Sequence, residues 1–221
     1  AGSRGLAPSQ LLTGGGTGRE SLHRALSTRP SLPGEIQQMD MVQFLLERLP
    51  AHPVLADKKL LYHSPCHSEW ANVRADKAAG IYASALETMT GADVAVSPGC
   101  CGESGMGAMT SPAIFNKIRG KKAQQLQSDL ALLEPGTPVL VGCPSCKQGI
   151  SRTLIGMKEK RPVLHTWEFL AATYMGEAWR QKFPKMLGDI RPDADGVRRV
   201  NLAELGAVEL TAADTAEDDG H

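Results

Sequence analysis

The chain contains five cysteines, and every one sits in a short turn marked by glycine or proline. Cys66 lies in His63-Ser64-Pro65-Cys66-His67. An adjacent pair lies in Gly99-Cys100-Cys101-Gly102, and Cys143 and Cys146 lie in Gly142-Cys143-Pro144-Ser145-Cys146. Thiols that only fill a core scatter among apolar residues, and these do not. Three chemistries suit such a set. Zinc takes four Cys or His ligands, which leaves one thiol over and asks the adjacent Cys100 and Cys101 to diverge around a single tetrahedral ion. A multi-iron cluster offers anchor points at different places and accepts adjacent ligands better, although a cubane needs only four thiolates. A redox dithiol would use Cys143 and Cys146 alone and leaves the other three cysteines unexplained.

The intervening sequence predicts how the turns meet. Lys59-Leu60-Leu61-Tyr62-His63 reads as a buried strand running into Pro65-Cys66. Asp93-Val94-Ala95-Val96 reads as a second, ending at the cysteine pair, and Thr137-Pro138-Val139-Leu140-Val141 as a third, ending at Gly142-Cys143. Pro162-Val163-Leu164-His165 is a short fourth. Between them lie helical patterns. One runs through Ala71, Ala75, Ala78, Ala79, Tyr82, Leu86 and Met89 to a stop at Gly91. Another starts at Ser111-Pro112, with Ile114, Ile118, Leu126, Leu130 and Leu133 as its apolar side and Gly120 a weak point. A third starts inside the Cys-x-x-Cys turn, and a last one is capped by Thr166. Alternating strands and helices predict an α/β fold, a short parallel sheet flanked by helices. In such a sheet the strands deliver their C-terminal ends to one edge, beside helix N-termini. That edge is where all three cysteine turns fall. Helix N-termini favour thiolate over thiol, and a metal would relieve the repulsion among clustered thiolates.

Taken together in order, Pro65-Cys66-His67, Pro98-Gly99-Cys100-Cys101-Gly102 and Cys143-Pro144-Ser145-Cys146 resemble the CCG-type cysteine-rich domain. That domain occurs in the disulfide-cleaving component of heterodisulfide reductase, in iron–sulfur subunits of glycolate oxidase and anaerobic glycerol-3-phosphate dehydrogenase, in lactate-utilisation proteins, and at the C-terminus of some flavin-linked dehydrogenases. The resemblance implies that Cys66, Cys100, Cys101, Cys143 and Cys146 bind a metal centre. That centre would be a 4Fe–4S cluster, non-cubane in heterodisulfide reductase, or zinc, as in some relatives. It implies an electron-transfer part of an oxidoreductase, of the glycolate/lactate dehydrogenase or heterodisulfide reductase type. Its partners would be a flavin-containing dehydrogenase domain or subunit carrying FAD, acting on a 2-hydroxy acid, and a further electron carrier. The alternative is a zinc-stabilised structural or assembly module. Most redox members carry the cysteine set twice and this chain has it once, which implies the second half of a larger protein or a part detached from its partner. No general acid or base is assigned, since electron transfer needs none.

Neighbouring residues admit quieter roles. His67 is expected to hydrogen-bond a thiolate or cap the turn rather than bind metal, and His63 and His165 to be satisfied turn residues at strand ends. Glu103 and Ser104 either touch a substrate or hold the glycine turn. Gly102, Gly105 and Gly107 let the backbone pass close to the centre. Lys147 and Arg152 read as a solvated helix face, and Trp70 and Trp167 as ordinary packing.

The whole chain sets the remaining bounds. Residues 1–37 are expected to form a flexible linker. No strand is expected before Gly14-Gly15-Gly16-Thr17-Gly18, so that glycine run is not read as a phosphate loop. Residues 38–176 form the cysteine-rich domain, starting with a helix that carries Val42, Leu45, Leu46 and Leu49. Residues 177–221 form a C-terminal helix and an acidic tail with Asp214, Glu217, Asp218 and Asp219. Zero net charge gives no reason to expect nucleic acid. No run of about 18 apolar residues predicts a transmembrane segment. An odd cysteine count without a visible signal peptide suits a reducing compartment. The expected location is therefore cytoplasmic, associated with the inner face of the membrane through partners. The first residue, Ala1, suggests a processed or excised piece.

Overall fold

The computed structural model describes residues 10–13, 37–67, 70, 73–103 and 107–181. Two strands, β1 (Gln10–Thr13) and β2 (Gln37–Asp40), pair in parallel, and α1 (Met41–Arg48) follows β2 directly. Asp40 caps that helix, its carboxylate accepting from the Val42 amide at 2.8 Å. Two expectations are corrected here. A strand does precede the glycine run, and among the described residues the element that follows it is a strand rather than a helix. The pairing joins segments far apart in sequence, so it leaves no local periodicity to read. The glycine run itself lies outside the described residues.

The main sheet is built from β3 (Lys59–His63), β4 (Asp93–Ser97), β5 (Val139–Val141) and β6 (Val163–His165), all parallel, in the order β4-β3-β5-β6. Between them run α2 (Ala75–Thr90), the short α3 (Gly107–Thr110), α4 (Pro112–Leu130) and α5 (Pro144–Gly156). Gly91 ends α2 in the left-handed conformation at φ 76°, as its position after the last apolar residue predicts. The α/β fold read from the sequence is therefore the one observed. The described residues divide into two units between Trp167 and Glu168, and α6 (Thr166–Met175) crosses that boundary. In the second unit Arg180 pairs with Glu168 at 3.1 Å. Phe183, Leu187 and the acidic tail lie outside the described residues.

Strand alternation assigns the faces of β3. Tyr62 stacks on Tyr82 of α2 with ring centroids 4.3 Å apart. Leu61 points the other way, into a core with Leu126 and Leu130 of α4, Val139 and Val141 of β5, and Ile150 and Leu154 of α5. Each such buried aliphatic side chain contributes roughly 1.5–3 kcal/mol. Cys101 and Cys146 belong to this same core. In α4 the expected apolar side holds only in the later turns. Ile114 is 61% exposed, while Leu126 and Leu130 are buried. Leu133 is buried but lies beyond the helix end.

Candidate metal centre

Each cysteine turn follows the end of a strand. β3 runs into Cys66, β4 into Cys100 and Cys101, and β5 into Cys143. Because β3 lies between β4 and β5, its last residue, His63, stands in register with both Ser97 and Val141. His63 is also two residues from Leu61 and so shares its face of the sheet. That places the imidazole among the inner thiols. One ligand atom each from His63, Cys101 and Cys146 lie within 4.8 Å of one another, and all three residues are buried.

Cys143 is the N-cap of α5, Pro144 occupies the first turn, and the Lys147 amide donates to the Cys143 carbonyl at 3.0 Å. Cys146 follows inside the first turn. Its thiol lies within interaction range of both Cys101 and Cys143. The Cys146 hydrogen bond holds the Cys143 thiol down to about 6, aided by the backbone amides of Cys146 and Ser145. The same donor, against the cost of burial, holds Cys101 down to about 4, with help from the His63 ring and the Glu103 amide. Cys146 is pushed up in turn, because its hydrogen bonds to Cys101 and Cys143 favour the protonated thiol, with burial and the neighbouring sulfur charges adding to the effect. The balance within the group therefore leans toward thiolate at Cys101 and Cys143 and toward the protonated thiol at Cys146. The remaining two thiols stand outside the compact group. Cys66 is exposed, with its thiol raised by partial burial and by the neighbouring Cys100, Cys101 and Cys143. Cys100 is half-buried and accepts from the Gly102 amide at 3.4 Å.

His63 corrects its predicted role. It is not a satisfied turn residue: it is fully buried, and neither ring nitrogen makes a hydrogen bond of good geometry to any protein group. Burial holds its pKa below the ordinary value, although the Cys101 thiolate and the Ser97 backbone lie near enough to offset this in part. His165 does fit its expected role, its Nδ1 accepting from the Trp167 amide at 3.4 Å. His67 is exposed, and Trp70 and Trp167 are half-buried. Thr166 begins α6, but its hydroxyl donates to the Val141 carbonyl at 3.3 Å, tying the ends of β5 and β6 together. Ser104 and Gly105 lie outside the described residues.

Three further residues shape the site. Lys122 of α4 is buried and donates to Ser97 Oγ at 2.7 Å, to the Pro98 carbonyl at 2.8 Å and to the Ser97 carbonyl at 3.4 Å. Ser97 Oγ in turn donates to Asp129 at 2.6 Å. Lys122 thus anchors the turn that leads to Cys100 and places a cation near the thiols. Burial lowers its pKa to about 8, while Asp129 and the thiols Cys146, Cys101 and Cys100 act in the opposite direction. The signal in the sequence was a lysine four residues from both Ile118 and Leu126, in line with an apolar row. Arg152 is not merely a solvated residue: its Nη1 donates to the buried Glu103 at 2.5 Å, so Glu103 holds the turn after the cysteine pair.

Gly149 is the third, one helical turn after Cys146. A Cβ there would stand 2.7 Å from the Cys101 carbonyl oxygen and 3.1 Å from Glu103 Cβ. Only glycine lets α5 lie this close to the Cys-Cys-Gly turn. Gly149→Ala is expected to cost about 1–3 kcal/mol and to weaken metal retention, readable by thermal unfolding and by metal content after dialysis. Gly102 is fixed in the same way, with φ 73° and Arg119 Cγ 2.5 Å from where its Cβ would be.

Thiols with lowered pKa values, a third thiol beside them and a buried imidazole form a donor set suited to a soft or borderline metal. No curated protein and no solved structure matches the chain significantly. The family model of the CCG cysteine-rich domain matches residues 60–151, a stretch that contains all five cysteines and the end of β3. That stretch matches the cysteine-rich domain whose motifs the cysteine turns resemble.

Proposed function

We propose that residues 60–151 hold an iron–sulfur centre through Cys66, Cys100, Cys101, Cys143 and Cys146, and that the domain is the electron-transfer part of an oxidoreductase. When bound, such a centre supplies one-electron transfer at a potential set by its ligands and surroundings. The observation that carries this reading is the convergence of separate strand ends on one group of thiols, two of them with pKa values held below the ordinary thiol value. The chain's own residues prepare the site. Cys101 and Cys143 are ready to ligate, and Cys146 gives up its proton when metal binds. Lys122 offsets negative charge from the buried side, and the Glu103–Arg152 pair holds the turn. Cys66, on the exposed side, marks the edge open to a redox partner.

The partner fitting this reading is a flavin-containing dehydrogenase domain or subunit with FAD, acting on a 2-hydroxy acid, with a further electron carrier. A disulfide-type acceptor is the other destination for the electrons. The proposed location is cytoplasmic, at the inner face of the membrane through those partners. Among the described residues no helix is long and apolar enough to cross a membrane.

One observation favours a second reading, a zinc-stabilised structural module. The compact group of His63, Cys101 and Cys146 is of a size that one ion can span. Anaerobic reconstitution with iron and sulfide separates the two. The electron-transfer reading expects visible absorption that bleaches on reduction, with a paramagnetic signal. Failure of the chain to take up iron under these conditions would overturn it.

A further inference from the structure

We infer that the centre is a mixed nitrogen–sulfur one, in which His63 binds the metal directly beside Cys101 and Cys146. The inference deepens the reading above and rests on these turns holding a metal.

Three independent observations carry it. First, topology places His63 at the last position of the inner strand β3, flanked by the ends of β4 and β5. The ring is thus fixed by backbone pairing on both sides. Second, His63 is completely buried and both its nitrogens lack a hydrogen bond of good geometry. An imidazole left so in a core loses about 1–3 kcal/mol for each unsatisfied polar group, and a metal on one nitrogen would remove part of that loss. Third, one ring nitrogen and the two buried sulfurs lie within 4.8 Å of one another. Donors around a single tetrahedral zinc at ~2.0–2.3 Å stand roughly 3.5–3.8 Å apart, so these need an inward shift of up to about 1 Å.

The five thiols are therefore not equivalent. Cys101 and Cys146 form an inner floor with His63, and Cys143 adjoins it through its hydrogen bond from Cys146. Cys66 and Cys100 stand at the rim. A single divalent ion can be captured by the inner donors without the rim. A larger centre needs both, and would carry a nitrogen ligand on its buried side.

The test uses the full chain, freed of metal and loaded with one equivalent of Zn²⁺, studied by X-ray absorption at the zinc edge. The expected spectrum has sulfur near ~2.3 Å, nitrogen near ~2.0 Å and the outer scattering of an imidazole ring. That ring signal should vanish in His63→Ala and persist in His67→Ala, where the side chain removed is an exposed one. Zinc affinity in His63→Ala should fall by more than the ~10–100-fold typical of residues that only orient a ligand. An all-sulfur shell in the unaltered chain would overturn the inference and leave the metal-centre reading intact. So would a ring signal lost in His67→Ala. If the unaltered chain retains neither zinc nor iron, the metal-centre reading fails and takes the inference with it.

Discussion

Cys101→Ser is expected to remove both zinc and iron from the protein, whereas Cys66→Ser should remove only the larger centre. The sequence, in which Cys101 is one of two adjacent ligands, suggests the opposite outcome for zinc: a spare neighbour should let a four-ligand site survive. The structure reverses this. Cys101 is buried, belongs to the same core as Leu61 and Ile150, and lies within reach of both His63 and Cys146. Cys100 faces a different environment, accepting from the Gly102 amide, and the backbone that would have to turn it inward is held by the Glu103–Arg152 pair and by the fit against Gly149. Zinc affinity should therefore fall more than ~100-fold in Cys101→Ser. In Cys66→Ser it should change by less than about tenfold, or ~1.4 kcal/mol. Competition against a zinc-binding dye measures both. Equal losses in the two variants would show that the thiols act as one undivided set.

The second large effect belongs to Lys122. Lys122→Met keeps an unbranched side chain one atom shorter but removes its N–H donors and charge. Ser97 Oγ and the Pro98 carbonyl, held at 2.7 and 2.8 Å, would each lose a partner. At about 1–3 kcal/mol for a buried group left unsatisfied, the loss of stability should be about 3 kcal/mol, or roughly 6–12 °C in Tm for a chain of this size. A further consequence separates structure from function. If Lys122 also offsets the charge of the centre, the metal-loaded protein should lose more stability than the metal-free one. Equal losses in the two forms would reduce Lys122 to an anchor of the Ser97-Pro98 turn.

The frame of the site was legible in the sequence because cysteines, glycines and prolines are punctuation. Strands ending in Pro65-Cys66, in Gly99-Cys100 and in Gly142-Cys143 announce both their limits and their edge. The parallel pairing then follows from alternation with helices, and the order β4-β3-β5-β6 puts those ends side by side. The inner lining was harder to read. His63 looks like any polar residue closing a strand until the flanking strands are known. Only the alternation Leu61–Tyr62–His63, combined with the stacking of Tyr62 on Tyr82, shows that its ring faces the thiols. Lys122 and Gly149 lie on helices whose rotation about their axes decides whether they meet solvent or the cysteine turns. Sequence spacing gives that rotation only where the apolar row is continuous, and a lysine or a glycine interrupts it. The pairing of Gln10–Thr13 with Gln37–Asp40 was illegible for a different reason: each strand has four residues and its partner is remote.

Whether the domain carries electrons is decided by purifying the full chain without oxygen and assaying it for iron, acid-labile sulfide and zinc. A coloured protein is expected, with iron and sulfide in near-equal amounts and both lost in Cys101→Ser. A colourless protein holding one zinc and no iron would contradict the electron-transfer role and leave a structural metal site in its place.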